Sequence, residues 1–557
     1  MIDSRLPSPD TLPLAEQIAQ MIVVRTTGHL FDHEVEYPQW EATNAELERY
    51  LALGIGGVIF LGGSAAELGV RTQQLQTIAK YPLLTAADIE EGVGQRFSGA
   101  TWFAPPMSLG EIAKQDLEKA IALSTRLGGI IAQEATAIGL NWILAPVVDV
   151  NNNPANPVIN VRAFGESADV VAQLTRAFIH GTQQFPVLTS AKHFPGHGDT
   201  ATDSHLSLPV IQHDFERLQS LELVPFREAI AAKIDSIMTA HLQLPNVDPN
   251  RPTTLSKLTL TGLLRQDMGF NGLIVTDAMV MGGITQQYGA NEAAVMAVEA
   301  GADILMMPGE VEGAIAAVTA AVETGRISAE QILQTVERIW RAKHKVADLP
   351  VTDDFSQHAW QHKSVPPIQL DQIATAEGRS LAAEILQASQ QVLNAPTQSL
   401  AQAISAPLIP GQNLIIVDDL LHTPFLGRTS PAVTLPHQLG YELTLIDTRS
   451  AATSRLHTEA TTLIQLFIRD NPFRKGEGVE AIATQYIQAL GNNVQAVILY
   501  GSPYAWQRIQ RILPEGTPCV FTYGQMREGQ AIALQPLLAP DEFTYEKVTA
   551  IDTSFTD

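Results

Sequence analysis

Residues 190–205, SAKHFPGHGDTATDSH, bring three histidines, two aspartates and a lysine into sixteen positions. Pro195, Gly196 and Gly198 interrupt the stretch, so it reads as a loop and not as one face of a helix. Three readings compete for such a set: a metal centre, an acid/base site for group transfer, or a solvated loop without chemistry. His193, His197, Asp199, Asp203 and His205 are all ligand types for a metal. Two patterns count against one. The first strand, QMIVVRTT, carries no His-x-His pair of the kind metal-dependent barrel hydrolases bring there. His193 and His197 also lie across Pro195 and Gly196, outside the register of a helical i, i+4 pair. The expectation is no metal and no cofactor.

The acid/base reading uses more residues. GLIVTDAMVMGG sets Asp277 at the end of an apolar strand, where burial and neighbouring cations decide its ionisation. A lone carboxylate there suits a nucleophile, or a stabiliser of an oxocarbenium ion, in glycosyl transfer. Such a reaction also needs a group that protonates the leaving oxygen. Asp203-Ser204-His205 offers one, with Asp203 orienting His205 and supporting its imidazolium.

These groups need a scaffold. Eight short apolar runs recur over about the first 345 residues: 20–24, 56–62, 82–88, 141–150, 188–194, 235–242, 272–279 and 302–309. They lack polar alternation, as parallel strands buried on both faces do. Helical stretches separate them, including residues 116–139, 214–233 and 290–301. Eight β-then-α units in order predict an N-terminal (β/α)8 (TIM) barrel. Asp88, Asp149, Lys192 with His193, His241 and Asp277 each fall at or just after a strand's C-terminal end, the face that carries active sites in such barrels. A polar, proline-bearing stretch after residue 346 marks a linker, giving a catalytic domain over 1–347, a linker over 348–370 and a second domain over 371–557. Strand runs at 413–419, 441–447, 463–470, 494–501 and 518–524 make that second domain α/β.

Composition narrows the setting. The 557 residues carry a formal charge of -24, which disfavours nucleic acid and anionic membrane as partners. Cys519 is the only cysteine, so there is no intrachain disulfide framework. No run of about 18 apolar residues suggests a membrane span, and the N-terminus reads as lacking a secretion signal. A cytoplasmic enzyme is the expectation.

Taken together, KHFPGHGDTATDSH and IVTDAM resemble the β-N-acetylglucosaminidases of glycoside hydrolase family 3. TAADIEEG (85–92) resembles that family's Asp-x-Glu-Gly substrate strand, and DVNNNPANPVINVRAFGE (149–166) its arginine-bearing loop. The resemblance covers about residues 10–345, and the second domain resembles the C-terminal α/β sandwich-like domain of longer members. It implies that Asp277 is the nucleophile of a retaining exo-β-N-acetylglucosaminidase and that His205, paired with Asp203, is the general acid and then the general base. It further implies that Asp88, Arg162, Lys192 and His193 hold the sugar, with Arg96, Asp149 and His241 as additional candidates. The substrate implied is a small carbohydrate, an N-acetylglucosaminide such as a cell-wall muropeptide. Two departures stand out: Asp88-Ile89-Glu90-Glu91-Gly92 where the family often has Asp-Gln-Glu-Gly-Gly, and Ile159-Asn160-Val161-Arg162 where many members have Ile-Gly-x-Arg. Imidazole titrates near 6.5 without burial, and a neutral base does not repel an approaching anion such as phosphate. Phosphorolysis is therefore the alternative to hydrolysis.

Overall fold

The computed structural model describes residues 6–200, 208–346, 367–396, 411–451, 459–469 and 477–538. The chain divides into two compact units. The first comprises Met1–Trp102 with Asp116–Arg379, and the second Phe103–Gln115 with Ser380–Asp557. Residues 103–115 therefore group with the second unit and residues 371–379 with the first, a division finer than boundaries at 347 and 371. Most of the expected linker lies outside the described residues.

In the first unit the eight predicted strands all form: β1 (Ile22–Thr27), β2 (Gly57–Leu61), β3 (Leu84–Ala87), β4 (Trp142–Ile143), β5 (Leu188–Phe194), β6 (Ser236–Thr239), β7 (Leu273–Val275) and β8 (Leu305–Met306). They pair in parallel in the order β7-β6-β5-β4-β3-β2-β1-β8, and a single bridge between Val275 and Ile304 brings the ends together. The strands are almost wholly buried, which is why their sequences lack alternation. β4 is far shorter than the apolar run 141–150 that predicts it. Pro146 has no amide to donate to a ladder, and regular pairing stops before it.

Helix ends follow local chemistry. Thr43 and Glu46 form a capping box at the start of Asn44–Leu53, and Gly54 closes that helix in the left-handed region at φ 83°. Asp116 caps Leu117–Ala137, the helix predicted over 116–139. The helix predicted over 214–233 is instead two, Phe215–Ser220 and Leu223–Ala231. Pro225 lies in the first turn of the second piece, where a missing amide costs nothing. No helix among the described residues is long and apolar enough to cross a membrane.

The second unit is built on a mixed sheet of six strands: β9 (Gln391–Leu393), β10 (Gln412–Ile416), β11 (Glu442–Ile446), β12 (Thr462–Ile468), β13 (Val494–Gly501) and β14 (Cys519–Thr522). Its order is β11-β10-β12-β13-β14-β9, parallel except for β9, which runs antiparallel to β14. The five predicted runs became β10 to β14. β9 is too short (Gln-Val-Leu) to stand out by pattern.

The barrel's weakest pairing is where β7 meets β8, and a buried carboxylate bridges it. Asp303, just before β8, accepts from Arg265 Nη2 at 2.6 Å, the Ile274 amide at 2.8 Å and Arg338 Nε at 2.7 Å. It has no solvent exposure. Replacing it removes one partner of two arginines at once, a loss of the kind that costs about 3–5 kcal/mol in buried pairs. Asp303→Ala should lower the unfolding free energy read from the barrel's urea transition by that amount. A change below about 1 kcal/mol would mean that strand pairing alone closes the barrel.

Candidate active site

Asp88 directly follows β3, and Glu90 lies two residues on. Lys192, near the end of β5, places Nζ 2.6 Å from Asp88 Oδ1 and 2.6 Å from Glu90 Oε1. Arg162 ends the short turn Asn160–Arg162 in the connection after β4. Its Nε and Nη2 lie 2.9 and 2.8 Å from the two oxygens of Glu90, a bidentate fork. The Lys192 and Glu90 side chains are 2% and 3% exposed, whereas Asp88 is 35% exposed. The cluster therefore shows solvent one carboxylate and keeps its internal pairs dry.

That burial sets the charges. Desolvation works to raise Glu90, but Arg162 and Lys192 overcome it and hold the carboxyl well below the usual range. Desolvation likewise opposes ionised Asp88, and Lys192 with Arg96 outweighs it. Lys192 pays the same desolvation cost, and Asp88 and Glu90 still raise it above an ordinary lysine. Arg96 reaches the group through Nε, which donates to the Asp88 carbonyl at 2.9 Å. Its terminal nitrogens have no protein partner among the described residues.

A second set hangs on Asp149, which has no solvent exposure. Its Oδ2 lies 2.7 Å from His193 Nδ1, and its Oδ1 accepts from the His197 amide at 2.7 Å. His193 Nε2 faces Arg162 Nη2 at 3.4 Å, and a guanidinium can only donate. Nδ1 of His193 thus carries the proton toward Asp149, leaving Nε2 as an acceptor. His197 sits edge-on to His193 with Nδ1 2.8 Å from Thr200 Oγ1. Burial pushes its imidazole down to about 4, so it is uncharged at neutral pH, and Asp277 is among the charges that act on it.

Lys192 and His193 are adjacent, and in a regular strand they would point to opposite faces. The pairing of β5 with β6 shifts register between Lys192 and Phe194, so regular alternation is broken there. A break in register re-aims a side chain, and here Lys192 reaches Asp88 and Glu90 while His193 reaches Asp149 and Arg162. Gly196 and Gly198 are needed for fit at this point. Gly196 has φ 132°, and a Cβ on Gly198 would stand 1.7 Å from the Val150 carbonyl oxygen. Backbone conformation at Gly196 and close packing at Gly198 account for these two glycines.

Asp277 lies two residues beyond β7, half-buried, with Oδ1 accepting from the Ala278 amide at 2.8 Å. His241 lies two residues beyond β6 and is fully buried. Its Nδ1 is 2.8 Å from Thr254 Oγ1 and its Nε2 donates to the Ala278 carbonyl at 3.1 Å. His241 thus grips the backbone next to Asp277. Asp149 and His241 were expected to touch substrate, and their burial instead makes them supports of other groups. Asp203 and His205 lie outside the described residues. Of the metal-ligand set, His193, His197 and Asp199 are committed to separate partners: Asp149, Thr200, and His213 at 2.7 Å.

Three residues escaped the sequence reading. Glu90 was visible only as part of the substrate-strand motif, and its two cations keep it ionised. Asn160 adopts φ 43°, the left-handed region in which asparagine is the best-tolerated non-glycine residue. This explains how it stands where many family members have glycine. Asn156 makes side-chain bonds to two loops. The run of asparagines at 151–153, 156 and 160 was the available signal.

Glu90 supports a test by pH. Its folded pKa is depressed, so its stabilisation is present above the unfolded value near 4.3 and is lost as pH falls toward the folded value. At pH 7, Glu90→Gln should cost about 3–5 kcal/mol, as expected when one partner of a buried ion cluster is removed. Below about pH 5 the variant should lose stability less steeply than the wild type. Parallel acid-unfolding curves would show that Glu90 is not ionised by its neighbours.

Residues 13–342 match the family described as Glycosyl hydrolase family 3 N terminal domain, and residues 408–539 the Bacterial Glycosyl hydrolase family 3 C-terminal domain. Beta-hexosaminidase A of Pseudoalteromonas piscicida is 36% identical over 323 residues, 52% of this chain and 54% of that protein. The chain therefore spans about half the length of that relative. A Beta-hexosaminidase of Tolumonas auensis is 34% identical over 311 residues, 55% of this chain and 91% of that protein. Among solved structures, a glycoside hydrolase family 3 beta-N-acetylglucosaminidase from Paenibacillus sp. str. FPU-7 is 28% identical with a TM-score of 0.74. That match covers 94% of this chain and 97% of the other. The Beta-glucoside phosphorylase BglX gives a TM-score of 0.76 over 96% of this chain and 94% of its own, at 22% identity, a likeness of fold alone. With matches that take in well over half of its residues, the chain belongs to glycosyl hydrolase family 3.

Proposed function

We propose that the protein is a retaining exo-β-N-acetylglucosaminidase that removes terminal β-linked N-acetylglucosamine, with cytoplasmic muropeptides as its natural substrates. The observation that carries this reading is the half-exposed Asp88, kept ionised by Lys192 and Arg96 on the barrel face that also bears Asp277. An ionised carboxylate accepts hydroxyl hydrogen bonds strongly. Fixed cations around it orient a polyol without a metal. Arg96, with terminal nitrogens open, supplies donors to sugar oxygens, and His193 Nε2 an acceptor. The names of the hexosaminidase relatives support the N-acetylated sugar as the unit held there.

In this reading the Asp277 carboxylate attacks the anomeric carbon while the His205 imidazolium gives its proton to the glycosidic oxygen. The aglycone leaves as an alcohol, and the sugar stays on Asp277 as an ester. Water then attacks the same carbon, neutral His205 takes a proton from it, and the Asp277 carboxylate is released. Asp203 supports His205 in both half-reactions by favouring the imidazolium.

Asp277→Ala should reduce turnover by at least about 10³-fold, as loss of a nucleophile does, with an unchanged circular dichroism spectrum. A variant that keeps a few percent of the wild-type rate rules Asp277 out as the nucleophile.

His205→Ala should discriminate between leaving groups. A dinitrophenyl glycoside leaves as a stable anion, so its first step should be nearly spared. Cleavage of an N-acetylglucosamine disaccharide should fall by roughly 10²–10⁴-fold. The ester on Asp277 should accumulate, giving a burst that azide relieves because it needs no base. Equal losses on both substrates, with no burst, would overturn the role of His205. The wild type with added phosphate should still release free N-acetylglucosamine; formation of the sugar 1-phosphate would make it a phosphorylase.

A further inference from the structure

Asn156 belongs to neither the charged cluster nor the histidine set, yet it is bonded to the backbone that presents each. It is 1% exposed, in the connection after β4. Its Oδ1 accepts from the Val158 and Ile159 amides, both at 2.9 Å. Val158 in turn accepts Arg162 Nη1 at 3.0 Å on its carbonyl, so this side of Asn156 shapes the turn that aims Arg162 at Glu90. Nδ2 points the other way. It donates to the carbonyls of His197 at 2.8 Å and Gly198 at 3.0 Å, with Thr200 Oγ1 at 3.3 Å. These residues form the foot of the stretch that reaches Asp203 three positions after Thr200.

From this geometry we infer that Asn156 is a positioning residue that ties the sugar-holding arginine turn to the loop supplying the proton. One planar amide enforces both attachments. Its acceptor end serves the arginine turn and its donor end serves the proton loop, so the two effects are chemically separable. Asparagine is the residue that suits this place. Aspartate would offer carboxylate oxygens where carbonyl acceptors wait, glutamine would overreach by a methylene, and alanine would leave several buried groups unbonded. The proposal rests on the reading of His205 as the proton donor, and its test keeps the two apart.

Asn156→Asp retains the acceptor for Val158 and Ile159 and loses the donor to His197 and Gly198. The full chain carrying it should show faster amide hydrogen exchange over residues 196–200 and unchanged exchange over residues 158–162. Its turnover of the disaccharide should fall by up to about 10²-fold, the scale of a small misplacement of reacting groups. On the dinitrophenyl glycoside the first step should stay near that of the wild type, while the steady-state rate falls with the base-dependent second step and a burst appears. Asn156→Ala, which removes both ends without adding charge, should show the same loss and in addition a raised KM on both substrates. Wild-type kinetics in both variants, or equal losses on the two substrates with exchange over 196–200 unchanged, would overturn the proposal. His205→Ala is assayed alongside. If it fails to discriminate between leaving groups, the proton-donor assignment fails by itself. Asn156→Asp is then compared with His205→Ala directly: a milder copy of that profile supports the inference, and a different profile overturns it.

Discussion

Glu90 holds the catalytic face together. Its two oxygens take the fork of Arg162, and one of them also takes Lys192, joining the turn after β3, the connection after β4 and the end of β5. A buried carboxylate between two cations is expensive to desolvate and gives little net stability over apolar packing. It does restrict geometry, because any shift of one element leaves a charge unpaired. The result is a cationic bed with Asp88 as its solvent-facing edge, kept ionised by its protein neighbours.

The histidines follow the same logic with different chemistry. Asp149 is spent on His193 and on the His197 backbone, so neither histidine is left to choose its own orientation. Proximity of Arg162 fixes which nitrogen of His193 is bare, and burial keeps His197 uncharged. His241 does for the backbone after Asp277 what Asp149 does for His193. The site therefore separates residues that can meet a ligand from residues that keep those in place. The second group is the more deeply buried.

Parallel strands make this arrangement possible. All eight send their C-terminal ends to one face, so the connections after β3, β4, β5, β6 and β7 bring five separate segments into one neighbourhood. The tight approach of Gly198 to the Val150 carbonyl and the amide of Asn156 then lock two of these connections to each other. Precision on that face comes from loop-to-loop bonds, since the strands themselves are short; β4 is regular over only Trp142–Ile143.

The eight barrel strands, the five main strands of the second unit and the two signature stretches were legible in the sequence because each is local. An apolar run between glycine- and asparagine-rich turns announces a buried strand, and KHFPGHGD with VTDAM announces the family. The shortness of β4, the strand β9 and the break between Ser220 and Leu223 were less visible, because a proline or a strand of three residues leaves too little pattern to read. What no local reading could supply was the division among the charged residues. Asp88 and Glu90 are two positions apart and chemically alike. Only the fold decides that Arg162, 72 positions from Glu90, and Lys192, 104 positions from Asp88, bury one and leave the other open. Asp149 and His241 looked like ligands for the same reason: sequence shows a polar group at a strand end, but whether water reaches it depends on partners far along the chain. Residue types determined which chemistry was available, and tertiary burial decided which groups could reach a substrate.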